Sequence, residues 1–269
     1  MKKNLVLVVL PLLSLGLTSC VSSAKNLTLS GEEQSQNYQN DAGLDGSHLF
    51  ELDFKNFTLA NGAIRVCPAY LQNGASVESS AIAQIEANLK PLVSVKAAQA
   101  FFEAGFAVDF SGSKITCSFP ERYQFHGSDV SIVVYANAKT ITIDGGSALS
   151  LDLSRSDEVA IKVVGAAALS TEKPLSLSSL ALTIDGAASF TSSGSATNAT
   201  YSISGAGSIK AKELLSETVK VAIDGAGSAV IHATKSLDVT LDGAGSVTYY
   251  GDPLLHQNIS GLGTVTKGS

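Results

Sequence analysis

Four aspartates stand at matching places along the second half of this chain: Asp144, Asp185, Asp224 and Asp242 each precede a glycine. Recurring carboxylates offer two chemistries. Two of them held about 5–9.5 Å apart, with one poised as an acid, could hydrolyse a glycosidic bond. Two in contact could instead hold a hard cation such as calcium, which takes about six to eight oxygens. The neighbouring alanines add only backbone oxygens, and no arginine or aromatic row accompanies the aspartates. The bland alternative is a set of solvent-facing carboxylates that accept hydrogen bonds from nearby turn N–H groups. If Asp224 and Asp242 were immediate neighbours, their like charges would disfavour mutual ionisation.

The other reactive side chains form few constellations. His48, His126, His232 and His256 are scattered without metal-ligand spacing. The many serines show no Gly-x-Ser-x-Gly elbow and no triad order. Tyr249 and Tyr250 are the adjacent aromatic pair of the second half, readable as a recognition patch or as strand residues capping the last segments. Cys67 and Cys117 are an even pair, so a disulfide between them is one reading and two unpaired buried thiols the other. Sequence does not show whether their Cα atoms approach within bonding range.

The third cysteine has a different context. Lys2 and Lys3 precede an apolar run from Leu5 to Leu17 that is short for a membrane span, which marks residues 1–19 as an export signal. The run ends at Leu17-Thr-Ser-Cys20, similar to the lipobox of bacterial lipoproteins, in which the cysteine is lipidated and becomes the mature N-terminus. A free cysteine within an ordinary secretory signal is the alternative. Lipidation at Cys20 would make the partner of this end a lipid bilayer, entered by acyl chains such as palmitate rather than by polypeptide. Val21, where an aspartate is absent, leans toward the outer membrane by analogy with lipoprotein sorting. Without Lys2 and Lys3 the chain carries 16 basic against 24 acidic residues, a net of about −8. That balance, with no basic cluster, speaks against a nucleic-acid partner.

These residues need elements to position them. Residues 20–48, rich in Ser, Asn, Gln, Gly and Asp, read as a flexible tether. Residues 49–269 read as one domain, irregular over 49–138 and regular over 139–269. In the irregular part, Phe50–Leu59 and Ala63–Cys67 alternate as two strands about an Asn61-Gly62 turn. Residues 79–90 place Ile82, Ile85 and Leu89 at helical spacing, a second helical stretch runs over residues 95–103, and strand character returns at 106–110, 114–117 and 130–135.

The regular part repeats. Gly145, Gly165, Gly186, Gly205, Gly225, Gly243 and Gly261 recur at intervals of 20, 21, 19, 20, 18 and 18 residues. Around them stand Ile141-Thr-Ile-Asp-Gly-Gly-Ser147, Val221-Ala-Ile-Asp-Gly-Ala-Gly-Ser228 and their relatives, each an alternating strand, a small-residue corner and another short strand. Ile143, Ile184, Ile203, Ile223 and Leu241 fall on the inward row. One such unit cannot bury its apolar row, whereas stacked units cover one another. Glycine at the corner supplies conformations closed to other residues and permits close stacking. A hairpin sandwich would explain the Asp-Gly turns but not six similar intervals, so the expectation is an all-β parallel β-helix. The irregular strands should cap one end of the stack, and residues 255–268 should shield the other.

The corners, above all Leu241-Asp-Gly-Ala-Gly-Ser-Val-Thr-Tyr-Tyr-Gly-Asp-Pro253 and Ile259-Ser-Gly-Leu-Gly-Thr-Val265, resemble the bacterial family called putative auto-transporter adhesin, head GIN domain. Tyr249, Gly251 and Pro253 match its Tyr-x-Gly-x-Pro segment, and the resemblance runs from about Phe50 to Lys267. It implies a right-handed β-helix in an exported, often lipid-anchored protein, and brings no catalytic residues. Aspartate stands here where many family copies have serine, which leaves a cation or glycan preference open. The functional expectation is a non-catalytic surface module that binds glycans or envelope or host proteins. The alternatives are a passive envelope component and a polysaccharide-active enzyme. Sequence is silent on oligomeric state.

Overall fold

The computed structural model describes residues 24–39, 48–68 and 91–269. The expected helix at 79–90 and Cys20 lie outside them. From Asn137 onward the chain winds as a parallel β-solenoid. Strands β8 (Asn137–Leu151), β9 (Glu158–Gly165), β10 (Ala168–Thr171), β11 (Leu175–Gly186), β12 (Ser189–Gly205), β13 (Ser208–Gly225), β14 (Ser228–Gly243), β15 (Ser246–Tyr250), β16 (Leu254–Gly261) and β17 (Thr264–Lys267) supply its coils.

Register is continuous. Ile143 lies beside Val163, Val163 beside Ile184, and the row proceeds through Ile203, Ile223 and Leu241 to Ile259. Ile143 to Leu241 in this row are buried, as is the parallel row of Ile141, Ile161, Leu182, Tyr201, Val221 and Val239. Each such side chain withdrawn from water contributes about 1.5–3 kcal/mol, and only stacked coils withdraw them. Tyr201 and Phe190 are large aromatics of this interior, and burial pushes the Tyr201 phenol upward.

The corners hold the register. Each repeat glycine has a positive φ, between +103° at Gly261 and +138° at Gly145. The Gly225 carbonyl accepts the Ala244 N–H at 2.9 Å, the Gly205 carbonyl accepts Ala226 at 2.9 Å, and the same bond recurs from coil to coil. A Cβ on Gly225 would sit 2.6 Å from the Gly205 oxygen. The second corner glycine answers a different demand: a Cβ on Gly227 would meet Ile203 Cγ2 at 2.8 Å, in the interior. Earlier coils place Ala167 and Ala188 there, both buried, so the first glycine is the stricter requirement.

The N-terminal part continues the solenoid and closes its end. Strand β3 (Leu49–Cys67) runs unbroken through Asn61 and Gly62, where two strands about a hairpin turn were expected. It pairs in parallel with β8 on both sides of that point, with a register shift between Thr58 and Ala63. Asn61-Gly62 is therefore a corner of a coil; Asn61 donates to the Gly127 carbonyl at 2.7 Å. Residues 95–103 divide between strand β4 (Leu92–Ala98) and a short helix, Gln99–Glu103. Strands β5 (Ala107–Ser111), β6 (Lys114–Gly127) and β7 (Val130–Tyr135) follow.

Part of the expected tether is also folded. Lys25–Leu29 forms β1, parallel to β6, and Glu33–Gln39 forms β2, antiparallel to β4. Their polar composition reflects strands with one wet face, while Leu29 is buried and Leu27 and Tyr38 pack against the core. The antiparallel β2–β4–β7 and β5–β6 pairs belong to a cap filled by Phe57, Phe101, Phe106, Phe119 and Phe125, with Phe101 edge-on to Phe119 at 5.0 Å.

Among the described residues the far end is open. β16 and β17 form a last coil on which Leu254, Ile259 and Leu262 are exposed, Leu262 by 87%. Residues 255–268 extend the solenoid rather than shield it.

Replacing Gly225 by Ala forces a side chain into a positive-φ position against backbone, at a cost of at least about 1–3 kcal/mol from strain alone. Replacing the exposed Ala226 by Ser should be near neutral. Urea unfolding followed by circular dichroism should separate the two, with a lower midpoint for Gly225→Ala only.

Candidate functional site

The aspartate row is real but broken. Asp144 lies beside Val164, Val164 beside Asp185, Asp185 beside Ser204, and Ser204 beside Asp224; only Asp224 and Asp242 are direct neighbours. Asp185, Asp224 and Asp242 are exposed. Strand neighbours stand about 4.8 Å apart, and the tips between rows carry Ala206, Ala226 and Ala244, also exposed. Among the described residues, no group of three or more His, Cys, Asp or Glu could hold a metal ion. Asp144 is different, because Arg122 donates to its Oδ2 at 3.0 Å. Sequence reading found no arginine near this row, since Arg122 comes from the irregular half.

Across the corner runs a second ladder. Ser189, Ser208, Ser228, Ser246 and Thr264 lie side by side, and Ser228 Oγ reaches Ser208 Oγ at 3.3 Å. The aspartate and serine ladders flank a narrow alanine ridge, so the edge of the solenoid presents small polar groups at a constant repeat.

The next outward row leads into an open groove of about 430 Å³. Thr171, Thr191, Lys210, Lys212, Glu213 and Val230 line it. The groove has a structural cause. Between Ala211 and Leu215 strand β13 bulges relative to β14, and a second irregularity separates Thr191 from Ser193 on β12. Such extra residues bend a strand and re-aim its side chains, here Lys212 and Glu213. The sequence carried a faint signal: the Gly205–Gly225 interval is 20 residues where the next is 18.

Tyr249 and Tyr250 occupy adjoining positions on β15, paired with Ile231 and His232. Lys212 Nζ lies 4.2 Å from the Tyr250 ring centroid. Gly268 lies against the same ring, and its N–H donates to the Tyr249 carbonyl at 2.8 Å. Both tyrosines are half-buried, so they finish the last coils as strand residues while Tyr250 holds a lysine.

A charged clamp ties three coils together on another stretch of the surface. Arg65 engages Glu172 through two bonds of 2.6 and 2.7 Å, and Ser150 donates to the same carboxylate at 2.7 Å. Beside it Lys173 lies 2.7 Å from Asp152, whose side chain is wholly buried. Burial alone would raise the Asp152 carboxyl; the Lys173 ammonium and the Ser154 donors more than reverse this, holding it below the usual carboxylate range. Glu172 is lowered in the same way by Arg65 and Ser150 against its own burial.

The disulfide reading is corrected. Cys67 and Cys117 are both buried free thiols. Cys117 is registered beside Phe54 of β3, whereas Cys67 ends that same strand beside Tyr135. The intervening turn of the coil keeps the two sulfurs on separate walls of the interior. Burial pushes each thiol up to about 12.

With this geometry in place, comparison with known proteins is informative. The model of the family described as putative auto-transporter adhesin, head GIN domain, matches residues 76–253. The chain belongs to this family. A putative adhesin from Bacteroides fragilis NCTC 9343 is similar in structure, with a TM-score of 0.69 at 17% identity over 90% of this chain and 100% of that one. A putative lipid binding protein from Parabacteroides distasonis ATCC 8503 gives 0.60 at 15% identity, over 91% and 100%. A putative adhesin from Parabacteroides merdae ATCC 43184 gives 0.58 at 18%, again over 91% and 100%. At these identities the likeness speaks to the fold. No curated protein matches the sequence. The reading as a non-catalytic surface module rests on the family membership.

Two outcomes test this chemistry. Thiol counting on protein never exposed to reductant should find Cys67 and Cys117 both alkylated after denaturation and neither in the native state at pH 8. For the clamp, the lowered carboxyls contribute stability that is complete above about pH 4 and is lost as pH falls through their folded values. Lys173→Met should therefore cost about 1–3 kcal/mol at pH 7 by stranding the buried Asp152 carboxylate, with the deficit shrinking below pH 4 in denaturant titrations.

Proposed function

We propose that this chain is a lipid-anchored binding module of the bacterial envelope, which displays the sides of its solenoid to glycans or to envelope or host proteins. The observation that carries the reading is the outer surface itself. Core and corner positions are fully occupied by packing, while the rows outside them carry aspartate, serine and threonine at strand spacing, with Asp185, Asp224 and Asp242 exposed. Many weak contacts at a fixed repeat suit an extended or repetitive partner, because each engaged site raises the effective concentration at the next.

In this reading residues 1–19 direct export, Cys20 carries the acyl chains, the segment that follows links anchor to domain, and the domain stands outside the membrane. Val21 favours the outer membrane. No helix among the described residues is long and apolar enough to cross a membrane. The exposed Leu254, Ile259 and Leu262 of the last coil favour a second role, as a component that assembles with an envelope partner.

Binding of the purified mature chain to arrays of envelope glycans and of envelope and host proteins should give saturable signals. Silence across both arrays would remove the binding reading, and crosslinking in intact cells to one abundant envelope protein would favour the assembly role. Cys20→Ala should move the full-length protein from the detergent-extracted membrane fraction to the soluble fraction; unchanged fractionation would overturn the anchor.

A further inference from the structure

The groove beside the β13 bulge has a composition unlike the rest of this acidic molecule. Lys210 and Lys212 both project at it, and among the described residues neither ammonium is ion-paired. Lys212 is held over the Tyr250 ring at 4.2 Å, a contact that positions the ammonium without neutralising it. Around the two cations stand the Thr171 and Thr191 hydroxyls, the Glu213 carboxylate and the apolar Val230. Thr191, Lys210 and Val230 are consecutive members of one outward row, so the groove crosses the strands over several coils, at about 4.8 Å per coil.

We propose that this groove is the binding site for an anionic oligosaccharide, one that carries carboxylate or sulfate groups. The proposal rests on the surface-binding reading above and deepens it to one site and one ligand class. Each part of the groove has a counterpart in such a ligand. The two ammoniums match the acid groups; the threonine hydroxyls and Glu213 match sugar hydroxyls as partners that accept and donate; Val230 offers an apolar surface to the C–H face of a ring. Glu213 opposes an anion, and its presence leaves the groove with a single net positive charge. That balance favours a sugar with spaced acid groups over a dense polyanion. An open groove across strands also accepts an internal stretch of a chain, where a closed pocket would demand an end.

Titration of the mature chain with oligogalacturonate and with a neutral galactan oligosaccharide of equal length, followed by calorimetry, tests the site. The acidic probe should bind and the neutral one should bind at least about tenfold more weakly, with affinity for the acidic probe falling as salt rises. Lys210→Gln and Lys212→Gln should each weaken the acidic probe by about tenfold. Both side chains are exposed, so thermal unfolding should be unchanged. A sulfated galactan oligosaccharide in place of the uronate separates sulfate from carboxylate, and binding of either one supports the class. Equal binding of neutral and acidic probes, or affinities untouched by both lysine variants, would overturn the site. If the arrays report another ligand while these probes fail, the groove assignment falls and the surface-binding reading stands. If arrays and probes are both silent, the two fall together.

Discussion

Successive corner glycines of this solenoid approach so closely that only backbone fits between them. The carbonyl of one corner accepts the N–H that follows the next corner glycine, and the same oxygen stands where that glycine's Cβ would be. This one contact fixes the rise from coil to coil and the register of both strands that leave the corner. A strand's faces alternate every residue, so a slip by one residue would turn the row from Ile143 to Leu241 out to solvent. The hydrophobic interior, the aspartate and serine ladders and the direction of every outward side chain thus follow from a contact in which no side chain takes part.

The contact also explains why the two halves of the molecule differ. At Gly145 the stack meets β3, whose corresponding residue is Phe57, preceded by Asn56 at φ +68°. Where the position facing Gly145 is not glycine, Asn56, a residue type tolerant of the left-handed region, begins the bend that Gly62 completes. Beyond that point antiparallel pairs and an aromatic cluster replace the repeat. A regular coil would leave an unpaired edge and a bare core at the end of the stack; the phenylalanines and the short helix Gln99–Glu103 cover both. Among the described residues no equivalent cover forms at the other end, where Leu254, Ile259 and Leu262 face outward.

Legibility in the sequence followed this division. The repeat glycines announced the solenoid because their demand is local and the same in every coil, and the inward row is where alternation placed it. Asn61-Gly62 misled because the same dipeptide suits a hairpin and a solenoid corner; the pairing partner decides, and that partner, β8, lies far along the chain. Lys25–Gln39 looked like linker because strands with one wet face in a cap need few apolar residues. The Arg122 partner of Asp144 and the clamp from Arg65 to Glu172 were hidden for a related reason, since each joins residues from coils with no common motif. The even cysteine count suggested a bond, yet Cys67 ends β3 beside Tyr135 while Cys117 lies on β6 beside Phe54, so both are buried in one interior as free thiols.

The groove follows from the same division of labour. Glycine corners and inward rows tolerate almost no change, because a misplaced Cβ meets backbone at the corner or an isoleucine just inside it. Extra residues can enter only between corners, as a bulge, where the ladder resumes after a few positions. The Ala211–Leu215 bulge does this: Gly225 returns to register beside Gly243, and the corners are undisturbed. What the insertion changes is the outer surface, which gains Lys212, Glu213 and a concavity beside the in-register Lys210, while the core keeps its rows. A solenoid of this kind therefore separates the residues that make it fold from those that can select a partner. Specificity should be sought where the coil interval departs from its neighbours.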